Sequence, residues 1–202
     1  MDMLTDAIAH RVRTSILEQE TIWRLTPDAL EREQVLKDGK SLTVRYPYHD
    51  IREIRLSFAP TRVDRVRYRC DFQLRNGTLV AILSTHYAGF ADFEDRGATY
   101  APLVRGLIER VAAANSACKF HAGKLPGAYW GEHIFLFLVI LLLVLVIGMV
   151  GGASLSTLVL VKLGILVFYI PVMILYTRKN WPRSFEPAAI PPSLIPDSGS
   201  KS

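Results

Sequence analysis

Apolar and polar positions follow three rhythms along the chain and then lose rhythm altogether. Over residues 1–20, Leu4, Ile8, Val12 and Ile16 recur every four positions, with His10, Arg11 and Arg13 on the other side. That spacing predicts an amphipathic helix, which can pack on its own domain, on a copy of itself or on a membrane surface. From residue 21 the period falls to two. Residues 21–25 and 29–35 flank a Thr26-Pro27-Asp28 turn, and Asp38-Gly39 marks another. Leu42, Val44 and Tyr46 alternate with polar neighbours, as do Ile54, Leu56 and Phe58, then Tyr68, Cys70, Phe72 and Leu74. Asn76-Gly77 is a hairpin signal, and residues 78–85 read as the return strand. Each strand is expected to bury one face and wet the other. The period then lengthens: Tyr100, Leu103, Val104, Leu107, Ile108 and Val111 recur at three and four, predicting an amphipathic helix over 99–115.

Residues 134–161 carry no charge; Lys162 interrupts, and 163–177 is again uncharged. A membrane-spanning helix needs about 20 predominantly apolar residues. The stretch is long enough for two, and Gly151-Gly152-Ala153-Ser154 supplies a turn. Spans over 131–150 and 156–176 are therefore predicted. A buried core helix pair is the alternative, but residues 134–143 have no polar face to turn to water. The run begins too far along the chain for a signal peptide. Lys119 and Lys124 precede it, Arg178, Lys179 and Arg183 follow it, and the turn is uncharged. The positive-inside rule then places both ends in the cytoplasm. Tyr129, Trp130, Tyr176 and Trp181 fit interfacial belts. Pro171 predicts a kink in the second span. The five prolines at 182, 187, 191, 192 and 196 predict a flexible tail over 177–202.

Trp23 and Leu25 in one strand, a strand meander, Ile51, Ile54 and Leu56 in another, the Asn-Gly hairpin and a final amphipathic helix resemble the pleckstrin-homology-like fold. The resemblance covers about residues 21–115 and rests on element order. It implies an α+β domain over 21–118, a small antiparallel β-barrel or sandwich capped by its C-terminal helix. A juxtamembrane linker over 119–130 and the two-helix transmembrane hairpin would follow. Bacterial membrane proteins often carry such a domain, so an inner-membrane location is implied. The family's phosphoinositide-binding members use Lys and Arg in the loop joining the first two strands. Here that loop is Thr26-Pro27-Asp28, and headgroup binding is not carried over. What the resemblance implies is a scaffold for protein or lipid contacts.

Charge adds little beyond this. Of the net +5, +3 falls in residues 134–202, where Lys162, Arg178, Lys179, Arg183 and Lys201 face Glu186 and Asp197. The remaining 133 residues are nearly neutral, so nucleic-acid binding loses its main argument. Two cysteines, Cys70 and Cys118, are too few for a disulfide framework. Cys118 and His121, with His133 nearest, do not complete a four-ligand metal site at a conventional spacing. His10, His49, His86, His121 and His133 form no catalytic motif, and no nucleophile elbow or phosphate-binding glycine loop occurs. Asp92, Glu94 and Asp95 precede the helix at 99, where acids complement the helix dipole. Catalysis and cofactors are not expected; an enzyme would need a pocket gathering His49, His86 or those acids.

Seven arginines fall between Arg52 and Arg75. Arg67, Arg69 and Arg75 share parity, so they are expected on one wet strand face, with Arg52 and Arg55 nearby. Such a face suits anionic lipid, an acidic partner or a salt-bridged solvated surface. Lys162 is expected to snorkel to the outer interface or to pair with an acid from another subunit. Gly148 and Gly152 make a small-xxx-small pair suited to close helix contact. The sequence therefore reads as a non-catalytic inner-membrane scaffold or accessory subunit, bound to the lipid bilayer and to a membrane-protein partner or its own copy. An anionic-lipid-sensing module is the alternative.

Overall fold

Trp23, Leu25, Leu30 and Tyr46 share parity across three neighbouring strands, and their burial draws those strands into one sheet. The computed structural model describes residues 9–36, 39–61, 64, 66–90, 92–149, 177 and 180–196. Its first sheet is β1 (Ala9–Val12), β2 (Thr21–Leu25), β3 (Ala29–Val35) and β4 (Ser41–Pro47), antiparallel in that order. Trp23 lies opposite His10 and Arg32, and Leu30 opposite Leu25 and Tyr46. The second sheet has β5 (Ile51–Phe58), β6 (Tyr68–Leu74) and β7 (Leu79–Leu83), followed on the other side of β5 by β10 (Lys119–Ala122) and β11 (Arg183–Ser184). Leu74 and Thr78 close the β6–β7 hairpin, and Gly77 takes the left-handed φ of +87° that this turn requires. β8 (Thr85–Gly89) and β9 (Asp92–Asp95) form a separate ribbon.

The two main sheets share one apolar core with α1 (Gly97–Ala114). Tyr100, Leu103, Val104, Leu107, Ile108 and Val111 are all fully buried. Gly106 permits the close approach to the first sheet, because a Cβ there would come within 2.8 Å of the Leu25 side chain. Arg110 donates to the Thr26 carbonyl (2.7 Å), and Asn115 donates to the Ile51 carbonyl (2.9 Å). The C-terminal half of the helix is thus fastened to both sheets.

Several expectations need correction. The predicted helix over 1–20 is not seen in its described part: residues 9–12 are strand β1. His10 and Val12 alternate inward, and Ile16, which the four-residue spacing recruits, is 67% exposed. The α+β domain closed by a C-terminal helix is not the observed fold. The described chain is mostly β-sheet, and after α1 it returns to the sheet as β10, parallel to β5. Phe120 and Ala122 supply the buried face that holds it there. The proline-rich tail also returns. β11 pairs with β10, and a 3-10 turn at Pro192–Leu194 leaves Leu194 and Ile195 in the core. Fixed φ at the prolines lowers the entropy lost in that ordering.

The membrane hairpin is corrected as well. Among the described residues no helix is long and apolar enough to cross a membrane. α2 (Pro126–Met149) covers most of the first predicted span. Its early turns carry Glu132 and His133, and His133 bonds the Tyr129 carbonyl and the Thr177 hydroxyl. The second predicted span, with Gly152 and Lys162, lies outside the described residues; Gly148 lies in α2. The inner-membrane location rested on that hairpin and falls with it. The chain divides into two units, Met1–Gly123 with Arg183–Ser202, and Lys124–Pro182.

If the returning tail is part of the core, Leu194→Ala will lower unfolding free energy by about 2–5 kcal/mol, the usual cost of a large-to-small core change. Leu17→Ala, at a position 87% exposed, will change it by less than about 0.5 kcal/mol. Denaturant unfolding followed by circular dichroism measures both.

Candidate functional site: an arginine-lined cleft between the sheets

The five arginines singled out from the sequence do not form one surface. Arg55 and Arg69 lie on the outer face of the second sheet, in register with Asp71 and Ser57 respectively. Both are neutralised there. Arg55 donates to Glu53 at 2.7 Å, and the Nε of Arg69 donates to both oxygens of Asp71 at 2.8 and 2.9 Å. His121 approaches Glu53 at 4.0 Å from the neighbouring strand. Burial raises the Asp71 carboxyl above its ordinary value, and the bonds from Arg69 work against that rise. This face is a mosaic of opposite charges, with little free cation to offer an anionic lipid. Arg52 is exposed at a register shift in β5. Arg75 has left the strand for the hairpin turn, so its parity with Arg69 is lost.

Arg67 goes elsewhere. It precedes β6 and lines a cleft of about 510 Å³ that opens between the two sheets. Arg32 lies on the inner face of β3, in register with Trp23, and its guanidinium carbon stands 5.8 Å from the Trp23 ring. The rings of Tyr46 and Phe72 surround Trp23 at 6.3 and 6.4 Å. The Nε atoms of Arg32 and Arg67 are both buried without a hydrogen-bond partner. Desolvation lowers the Arg67 pKa, and the charge of Asp64 opposes that shift. Glu18 is the acidic side chain lining the cleft, and it is exposed.

Sequence reasoning missed Arg32. Between Glu31 and Glu33 it looks like part of a solvated charge run. Its parity with buried Leu30, two positions earlier, is the signal that would have placed it inside.

The remaining chemistry-bearing residues hold the fold. His10 is fully buried: its Nε2–H donates to the Leu83 carbonyl (2.8 Å) and its Nδ1 accepts from the Thr99 hydroxyl (2.8 Å). It bridges β1, the end of β7 and α1. His86 accepts the Arg13 amide, and Asp95 accepts the Gly97 amide at the start of α1. β8 and β9 place His86 opposite Glu94, and Glu94 is engaged by Arg96. His49 stands apart at the 3-10 turn Tyr48–Asp50 and is exposed. Burial pushes the thiol of Cys70 up strongly and that of Cys118 up to about 11. Cys118 and His121 line a second cavity, of about 540 Å³, together with Ser184 and Phe185. Among the described residues no group of three His, Cys, Asp or Glu side chains can hold a metal ion.

Comparison with known protein families, curated proteins and solved structures finds no match to this chain, and no pleckstrin-homology-like domain is identified by it.

Burial lowers the His10 pKa from 6.5 to about 4. The unfolded chain therefore binds a proton between those values and the folded chain does not. The His10 contribution to stability is fully present above pH 6.5 and is lost as pH falls toward 4, by about 3 kcal/mol at most. His10→Gln will flatten the difference between unfolding free energies measured at pH 7 and pH 4.5.

Proposed function

We propose that this chain is a non-catalytic scaffold or accessory subunit whose β domain is a rigid body presented to a protein partner. The observation that carries the reading is the direction of the large pKa shifts. His10, Cys70, Tyr100 and Cys118 are each driven toward their neutral forms, with burial as the leading cause. A nucleophilic cysteine is tuned the opposite way, toward its thiolate at neutral pH, and both ring nitrogens of His10 are already taken up by Leu83 and Thr99. Cys70 lies wholly within the core, and Cys118 is buried at its edge. Further support comes from the tail, whose return to β10 and the core ties both ends of the domain into one body. Such a body is suited to holding a recognition surface in fixed geometry.

Crosslinking in cells, followed by mild purification of the tagged full chain, tests the reading. A stoichiometric neighbouring protein is expected. A chain that runs alone as a monomer, with no crosslinked neighbour, overturns it. A second measurement bears on the chemistry: both cysteines will resist a thiol reagent at pH 8 and react once the chain is unfolded. Fast native modification of Cys118 would show an activated thiol, and the non-catalytic reading would fail.

A further inference from the structure

The cleft between the sheets has a wall that its arginines do not explain. Residues of both parities in β7, among them Leu79, Val80 and Ala81, line it. A strand that turns both of its faces toward one space presents its edge to it. β7 is the last strand of its sheet, with β6 on one side and no strand on the other among the described residues. His10 of β1 reaches the Leu83 carbonyl, and the cleft is lined along β7 from Leu79 to Leu83. An unpaired strand edge is a template for another strand. Arg32 of β3 and Arg67, which precedes the neighbouring strand β6, line the same cleft, each with an Nε that is buried and unbonded.

We propose that this cleft receives an extended acidic segment of a partner protein. The segment adds to the free edge of β7 by main-chain hydrogen bonds and sets a carboxylate on Arg32 and Arg67. Main-chain pairing supplies affinity in this mode, and side-chain pockets supply specificity. Guanidinium forks match a carboxylate in geometry and charge. Trp23 and Arg32 form the floor on which the segment's acidic residue lands, and Leu79, 62% exposed, offers apolar contact at the rim. The proposal deepens the scaffold reading by naming the chemistry of the partner, and it rests on that reading only for the partner being a protein.

The test uses the purified full chain and an octapeptide of alternating Glu and Val, with alternating Lys and Val as the control. Calorimetry is expected to show saturable binding of the acidic peptide alone, weakening as salt rises. Hydrogen exchange is expected to show protection of the β7 amides. Arg32→Gln and Arg67→Gln will each weaken binding at least tenfold, and Arg67→Lys, which keeps the charge, will weaken it less. An unchanged circular dichroism spectrum and a cooperative melt confirm that each variant is folded. No saturable binding up to millimolar peptide overturns the proposal, as does equal binding by both Gln variants. Displacement of the peptide by inorganic phosphate without β7 protection also overturns it, and marks a small-oxyanion site. The same variants enter the crosslinking experiment. A neighbour that persists in both leaves the scaffold reading standing and removes the cleft from it. Absence of any neighbour, with peptide binding intact, removes the scaffold reading alone.

Discussion

Tyr100, Leu103, Leu107 and Val111 bring the apolar stripe of α1 against inner residues of both sheets, and this contact organises the β domain. Two sheets packed face to face leave a space about 10 Å thick that side chains must fill. α1 covers it at the end where Gly106 meets Leu25 and Arg110 reaches Thr26. One helix does not cover both ends. Along β2 and β3 the inner-face residues therefore run from Leu25 and Leu30, buried, to Thr21, Arg32 and Gln34, which border on the open end. The cleft is the remainder of a core that α1 does not complete.

That geometry separates two kinds of arginine. On the outer sheet face, strand register sets acids beside bases, and Arg55 and Arg69 are neutralised by neighbours on their own strands. These pairs are part-buried, so the desolvation of both charges offsets much of their Coulomb attraction. Inside the cleft the same side chain is treated differently. Arg32 rests on an aromatic ring and Arg67 is partly desolvated with Asp64 acting on it through space, yet the Nε of each is buried without a hydrogen-bond partner. Arginine density along the chain therefore pointed toward the self-sufficient face, whereas the unbonded guanidinium nitrogens lie in the cleft, with Arg67 of that cluster and Arg32 from outside it.

The alternating strands were legible because each pays out its apolar residues at a single parity: Leu42 to Tyr46 fall in β4, Ile54 to Phe58 in β5, Cys70 to Leu74 in β6. The three- and four-residue spacing at 100–111 lies in α1 for the same kind of reason. The N-terminal segment misled because four apolar residues at a spacing of four also include alternating partners, and His10, a polar residue, occupies the buried position that decides the matter. A histidine can do so because both of its ring nitrogens find partners. β10 and the tail were opaque for another reason. β10 buries Phe120 and Ala122, and the tail buries Pro191, Leu194, Ile195 and Pro196, with no regular spacing to reveal either. What orders them is the sheet and core already formed by residues far away in sequence. The long apolar run shows the reverse limit: its composition argued for two membrane spans, while the described part of α2 joins an uncharged segment to turns carrying Glu132 and His133.

Leaving a buried polar group without a partner costs about 1–3 kcal/mol, and more where the group is charged. Two such nitrogens on the walls of one cleft are therefore a destabilising feature of the free domain. Apolar substitutes at 32 and 67 would carry no such cost. Their presence is most simply balanced in a complex, where an incoming carboxylate and the free edge of β7 would satisfy groups that the domain itself leaves open. The deficit is tolerable because His10 ties β1 to Leu83 and α1 holds the core beneath, so the cleft is a local gap in an otherwise well-bonded body.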